Sequence, residues 1–292
     1  MEYIVSAILA ALLYALYTPG SKILLSAIPS MSLAGLSYLG AGIGMSLVYL
    51  TRLLRGKKDD SPSPSHGDIP ALALMILLDA LAPIFLLLGL SSSQASAVSL
   101  LNNLEIIFTS LLAFLLFKER IGWKSLLGII LIFVSGCLLC LDFSAGLSAS
   151  WGLLWVVGAC LCWGLENNLT RKLSSKSPHQ IVIVKGLGSG SLSLFIGFLF
   201  GERISLESNL GYPMLLGFCC IGLSVYFYVL AQRGLGASKT SAYYACSPFL
   251  GSVIGYFLFG DSLDYKFLIA FVLMAMGCLV ITISELRKST PT

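Results

Sequence analysis

Four ionisable residues interrupt stretches that are otherwise apolar: Asp79, Glu105, Glu166 and Lys185. A charge held in hydrocarbon costs about 2.5–3.5 kcal/mol even on lenient scales, so each needs a proton, a partner or a water-filled cavity. Acids in such places can trade protons and bind cations, because loss of solvent pushes a carboxyl towards its neutral form. Lys185 has two options. It can snorkel to the cytoplasmic interface, or it can pair with Glu166, Asp79 or Glu105, which reduces the surplus of acids from three to two.

Polar stripes accompany the acids. Ser96, Ser99, Asn102, Glu105 and Thr109 recur every three or four residues and share one helical face. Trp163, Glu166, Asn167 and Thr170 do the same, as do Thr240, Tyr244, Ser247 and Gly251. Hydroxyls on such faces serve equally as glue between membrane helices. Tyr14, Tyr17, Trp163, Tyr243 and Tyr244 can wall a cation site through their ring faces, or pack and anchor. The expected substrate- and proton-binding set is therefore Glu105, Glu166, Asp79, Asn102, Asn167, Tyr14, Tyr17, Trp163, Tyr244 and Lys185.

The elements that must position these residues are membrane helices. Of 292 residues, 57% are hydrophobic and 11% charged, with a mean hydropathy of +0.91. A soluble domain carries about 25% charged residues. The apolar segments are continuous, not alternating, which points to helices of about 20 residues and not to a barrel. Ten helices are expected at about 3–26, 31–54, 69–90, 95–117, 123–142, 150–173, 180–200, 211–232, 237–259 and 265–286. The first reads as a retained helix, since no basic segment or cleavage site precedes it. Residues 55–68 read as a solvated polar linker. Pro19, Pro83 and Pro248 are expected to interrupt the first, third and ninth helices. The Gly186, Gly188 and Gly190 series suggests close helix packing, and the eight cysteines suggest small apolar packing residues.

Placing the N-terminus in the cytoplasm leaves only Lys22, Arg203 and Lys266 of the 18 Lys and Arg outside. Both termini are therefore expected to be cytoplasmic. This bias also accounts for the net charge of +4 without nucleic acid.

The second half of the chain repeats the first. At a spacing of 142, Ala95, Ser96, Ser99, Ser110, Leu116 and Phe117 match Ala237, Ser238, Ser241, Ser252, Leu258 and Phe259. At a spacing of 149, Ala10, Leu12, Leu16 and Leu24 match Ala159, Leu161, Leu165 and Leu173. Lys118, Glu119 and Arg120 correspond to Gly260, Asp261 and Ser262, so the equivalent turn has lost its basic charge. An odd number of crossings per unit makes the repeats inverted, residues 1–146 against 147–292, with sites expected between them. The copies diverge at Glu105 against Ser247 and at Glu166 against Tyr17.

Two stretches, FTSLLAFLLFKERIGWKSLLGIILIFVSG at 108–136 and LAQRGLGASKTSAYYACSPFLGSVIGYFLFGDSLD at 230–264, resemble the drug/metabolite transporter superfamily in its ten-helix EamA-type branch. CWGLENNLTRKLS at 162–174 and HQIVIVKGLGSG at 179–190 look characteristic of a subgroup. The resemblance implies an exporter of small metabolites, with helices 1, 3, 4, 6, 8 and 9 around a cavity and helices 5 and 10 peripheral. The leading expectation is a secondary transporter of a small organic cation or zwitterion in the plasma (inner) membrane, coupled to proton entry. The alternative exports neutral or aromatic amino acids without proton coupling. The chain offers no nucleophile–base pair or metal-ligand set around His66 and His179 for an enzyme, and no phosphate-binding loop for ATP drive. No cofactor or metal is expected, the drive being a proton gradient. The partners expected are the substrate and the bilayer, in a monomer or weak homodimer.

Overall fold

The computed structural model describes residues 2–56, 62–118, 122–142, 148–173, 176–204, 209–235, 240, 243–261 and 264–288. The chain folds as α1 (Glu2–Ala15), α2 (Tyr17–Leu24), α3 (Ser30–Leu54), α4 (Ile69–Ser91), α5 (Ala95–Leu101), α6 (Leu104–Phe117), α7 (Trp123–Cys140), α8 (Trp151–Lys172) and α9 (Pro178–Leu199). Then α10 (Gly211–Gly217) continues through a π-turn, Phe218–Leu223, into α11 (Ser224–Leu235), followed by α12 (Ser247–Phe259) and α13 (Tyr265–Lys288). A two-residue antiparallel pairing, β1 (Leu141–Asp142) with β2 (Ser148–Ala149), joins α7 to α8. The protein is an all-α membrane protein. Eight of its described helical stretches are long and apolar enough to cross a bilayer. Two further described helices pack among them: α8, which carries Glu166, Asn167 and Asn168, and the shorter α12. The middle of the expected linker, residues 57–61, lies outside the described residues, as do Glu119, Arg120, Ala237, Ser238, Ser241 and Ser262 of the repeat.

Two of the three expected proline interruptions occur. The first helix breaks at Leu16, ahead of Pro19, where Leu16 N–H turns back to the Leu13 carbonyl at 3.3 Å. Pro248 opens α12 within its first turn, where its missing N–H removes no helix bond. Pro83, by contrast, sits inside an unbroken α4. The fourth helix breaks without any proline. Asn103 Nδ2 donates to the Leu100 carbonyl at 3.0 Å, and Asn103, Glu105 and Ile106 N–H groups bond three residues back instead of four. Asparagine side chains compete with the backbone in this way. The break divides the expected stripe: Ser96, Ser99 and Asn102 belong to the α5 side, Glu105 and Thr109 to α6.

The bundle is held by close pairs: α3 with α9, α4 with α8, α7 with α13, α1 with α11, and α5 with α12. Glycine sets two of these distances. A Cβ on Gly186 would stand 2.5 Å from the Gly42 nitrogen, and one on Gly128 would stand 2.7 Å from the Gly277 carbonyl oxygen. Backbones this close maximise dispersion where lipid provides no hydrophobic drive.

Helix ends are capped by charge of the sign the helix dipole favours. Glu202 accepts from Met31 N–H (3.0 Å), Ser32 N–H (2.7 Å) and the Ser32 hydroxyl (2.8 Å) at the start of α3. Asp261 accepts from Ser96 N–H at the start of α5, 2.8 Å away. Lys22 donates to the Leu90 and Ser93 carbonyls at the end of α4, at 2.5 and 2.8 Å.

Two outcomes follow for detergent-purified protein. Gly186→Val forces α3 and α9 apart and lowers stability by about 3 kcal/mol, the range of a strained core insertion, read as a fall in unfolding temperature. Glu202→Ala uncaps α3 at a cost of about 1–2 kcal/mol; an unchanged unfolding temperature would contradict the capping role.

Candidate functional site

The structure resolves the alternatives for Lys185: it is paired. Its Nζ lies 2.7 Å from Glu166 Oε1 and 3.0 Å from Asp79 Oδ2. The two carboxylates retain 4% and 2% of their side-chain surface, whereas Lys185 retains 21%. One ammonium therefore joins α4, α8 and α9, and it is the least buried member of the triad. The Thr170 hydroxyl donates to Glu166 Oε1 and lies against the Met75 sulfur of α4. Asp79 sits four residues before Pro83, whose missing N–H leaves the Asp79 carbonyl without its usual helical donor. The close approach of Gly42 to Gly186 brings α9 near enough for Lys185 to reach inward.

Glu105 stands apart from the ammonium. Its described hydrogen bond is with a neutral group: Asn167 Nδ2 donates to Glu105 Oε1 at 2.6 Å, and also approaches Thr109 Oγ1 at 3.3 Å. The helix break at Asn102–Asn103 starts α6 immediately before Glu105. Glu105 and Glu166 come from different helices, but Asn167 follows Glu166 in sequence, so α8 contacts both acids.

The aromatic residues form one wall beside this acid. The Tyr14 and Tyr17 rings stack with centroids 6.5 Å apart, Tyr14 meets Tyr244 at 5.5 Å, and Tyr244 meets Tyr228 edge-on at 5.0 Å. Tyr14 and Tyr244 both lie within electrostatic reach of Glu105. Ser224 donates to the Ala10 carbonyl at 2.9 Å and touches Tyr244 Oη at 3.4 Å, tying α1, α11 and the turn before α12 together. Tyr243 is exposed and stands outside this wall. Trp163 is buried, beside Tyr38.

Asn102 is buried at the helix break, and its Oδ1 has no hydrogen-bond partner among the described residues. The Cys160 thiol donates towards the Leu101 carbonyl, which the break deprives of the Glu105 N–H, at 3.6 Å, and towards the Asn102 carbonyl, which Glu105 N–H already reaches, at 3.7 Å. Packing is thus one part of what this cysteine does. Cys246, expected inside an apolar segment, is exposed in the turn before α12.

Three contributors escape a reading of the sequence. Tyr38 of α3 lies within electrostatic reach of Asp79, Tyr14 and Tyr17, yet its helix carries no acid that would mark it. Asn168 Nδ2 donates to the Thr109 carbonyl at 3.1 Å and the Gly164 carbonyl at 2.8 Å, fixing α8 against α6. Tyr228 completes the ring cluster from α11. The NN pair at 167–168 was the available signal for Asn168; Tyr38 and Tyr228 had none. The expected peripheral helices, α7 and α13, pack against each other and expose Phe133, Leu268, Val272 and Leu279.

Chemically, the arrangement sets three buried carboxyl groups against one ammonium, which two of them hold, with tyrosine rings beside the third. It can hold a proton or an organic cation against Glu105, and among the described residues no nucleophile stands poised against a base.

The chain is 27% identical over 293 residues to an uncharacterized transporter of Methanothermobacter thermautotrophicus, covering 95% of this chain and 85% of that one. It is 24% identical over 270 residues to an S-adenosylmethionine/S-adenosylhomocysteine transporter of Chlamydia trachomatis, covering 87% and 83%. A solved crystal structure shares the fold, with a TM-score of 0.67 at 18% identity over 99% of both chains. The EamA-like transporter family matches residues 1–141 and again 150–283. The chain is thus an integral, multi-pass membrane transporter, not an enzyme, and it belongs to the EamA-like transporter family.

Proposed function

We propose that the protein is a secondary exporter that moves a small organic cation or zwitterionic metabolite by alternating access, with protons entering in exchange. The observation that carries this reading is the charge count at the site. Three carboxylates face one ammonium, and Lys185 is committed to Asp79 and Glu166. Glu105 is left with a neutral amide and a tyrosine wall. An acid so placed is neutralised by a proton or by a cationic cargo, but not by both. That competition is sufficient for exchange. A sulfonium such as S-adenosylmethionine suits the site: its cation would face Glu105, and its purine would lie on Tyr14 or Tyr244. The names of the chlamydial relatives favour the same cargo class.

The architecture we propose is ten crossings in two inverted five-helix repeats, residues 1–146 and 147–292, with both termini cytoplasmic. The bundle would sit in the plasma (inner) membrane as a monomer or weak homodimer. Several observations support the duplication. The family matches the chain twice. Replacing each expected helix by its counterpart five along leaves the observed pairing unchanged, since α1 with α11 exchanges with α8 with α4 and the other pairs map onto themselves. Gly128 and Gly277, which face each other backbone to backbone, are spaced as the first and sixth helices are. The distribution of Lys and Arg favours the orientation.

The pairing of Lys185 favours a second reading as well. If Asp79 and Glu166 serve only to hold that lysine, the cargo is a neutral or aromatic amino acid bound by Asn102, Asn167 and the rings, without proton coupling. Proteoliposome flux separates the two. On the leading reading, an inwardly directed proton gradient drives loss of S-adenosylmethionine or another organic cation from the cytoplasmic side. Glu105→Gln abolishes the effect of the gradient, with a loss of at least about tenfold, as for removal of a buried charge pair. Gradient-driven flux that survives in Glu105→Gln would overturn the reading. In the triad, Lys185→Met leaves two carboxylates facing each other and destabilises the protein by about 3–5 kcal/mol. Glu166→Gln in the same chain restores much of that loss, measured as unfolding temperature; no rescue would show that the triad is not the origin of the cost.

A further inference from the structure

A second feature lies apart from the charge cluster. Arg52, near the end of α3, directs Nη1 at His179 Nε2, 3.1 Å away, at the start of α9. Arginine can only donate, so Nε2 is the acceptor and the ring is neutral in this contact. The imidazole is buried and held between the rings of Tyr49 and Tyr226, with centroids at 6.0 and 5.7 Å. Among the described residues no carboxylate pairs with Arg52. The half-buried guanidinium has five donors, and the imidazole takes few of them.

These two side chains open onto a half-open cleft between α3, α9 and α11, whose space of about 350 Å³ includes its open mouth. Its other walls include Met45, Val182, Val225 and Val229, and none of Asp79, Glu105, Glu166 or Lys185 lines it. The ends of α9 and α11 touch only sparsely here, so the pocket is a wedge between two lipid-length helices. One end is cationic and the body is apolar. The cationic end lies on the side of the bundle that carries Arg55 and Lys176, where the Lys and Arg count places the cytoplasmic leaflet. A cationic transport cargo would be repelled from it.

We propose that this pocket binds a phosphate-bearing amphiphile, with the phosphate on Arg52 and beside His179 and an acyl chain along the valines. The bidentate geometry of guanidinium suits a phosphate, and basic pockets between membrane helices on the cytoplasmic side are suited to anionic headgroups. The occupant favoured by the apolar walls is an acidic phospholipid of the inner leaflet. It would wedge α9 against α3 and so bear on the helix that carries Lys185.

The test is native mass spectrometry and thermal shift on the full-length protein in detergent, with phosphatidylglycerol, phosphatidylcholine and soluble glycerol phosphate as separate probes. The expected result is one retained phosphatidylglycerol and a raised unfolding temperature in the wild type. Arg52→Gln lowers that retention about tenfold, the loss of a charge-assisted bond pair, and Arg52→Lys lowers it less. Val229→Trp, which fills the pocket and leaves Arg52 in place, lowers it as well. A shift by glycerol phosphate that depends on Arg52, without retention of phosphatidylglycerol, assigns the site to a soluble phosphate and overturns the proposal. Equal retention of phosphatidylglycerol and phosphatidylcholine, or retention unchanged in both Arg52→Gln and Val229→Trp, overturns it.

Discussion

Lys185 cannot sit among membrane helices without a counter-charge, and the structure supplies it with two. The 2.7 Å contact to Glu166 and the 3.0 Å contact to Asp79 draw three helices onto one ammonium. Those contacts require α9 to approach α3 and α4 closely, which is where glycines replace larger side chains. They also require α8 to present Glu166 to α4 while its neighbour Asn167 turns to Glu105. The triad thus fixes the geometry of the charge that remains. A pair of this kind contributes little net stability once desolvation is counted. Its value lies in specifying one arrangement and in being breakable, since a cation arriving near Glu166 or a proton on Asp79 would loosen the same three helices.

The breaks in the helices serve the same end. α1 gives way to α2 at Leu16, α5 to α6 at Asn102–Asn103, and α12 begins at Ser247 after an irregular turn. The second and third of these lie at positions that the repeat spacing makes equivalent to within one residue. Tyr17, Glu105 and Tyr244, three of the candidate site residues, each lie within three residues of a break. Backbone irregularity in a membrane is tolerable where other groups satisfy the freed carbonyls, and Cys160 does so for Leu101. The π-turn at Phe218–Leu223 lies just before Ser224 and Tyr228 in the same way.

Much of this was legible in the chain itself. A carboxylate in a lipid-length apolar segment is conspicuous, and Asp79, Glu105 and Glu166 all prove to be in or beside one cluster. The polar faces of the fourth and sixth helices were also readable, because periodicity reports which side of a helix a residue occupies. It does not report what stands opposite. The choice of Lys185 between interface and acid, and of Glu105 between lysine and amide, depended on which helices adjoin. The break at Asn102–Asn103 was hidden because propensity points to proline as the breaker, whereas here the Asn103 side chain competes for the backbone. Pro83 misled in the opposite direction, since α4 absorbs it. Tyr38 was invisible for a simpler reason: an isolated tyrosine in an apolar helix has no spacing to betray it.

The central claim is that proton and cargo compete for Glu105. It is tested most directly by proton release on binding, measured with a pH indicator in weakly buffered detergent solution as S-adenosylmethionine or another organic cation is added to the purified transporter. The account predicts release of protons that saturates with occupancy and disappears when Glu105 is replaced by glutamine. Saturable binding of the cation with no release of protons would contradict it.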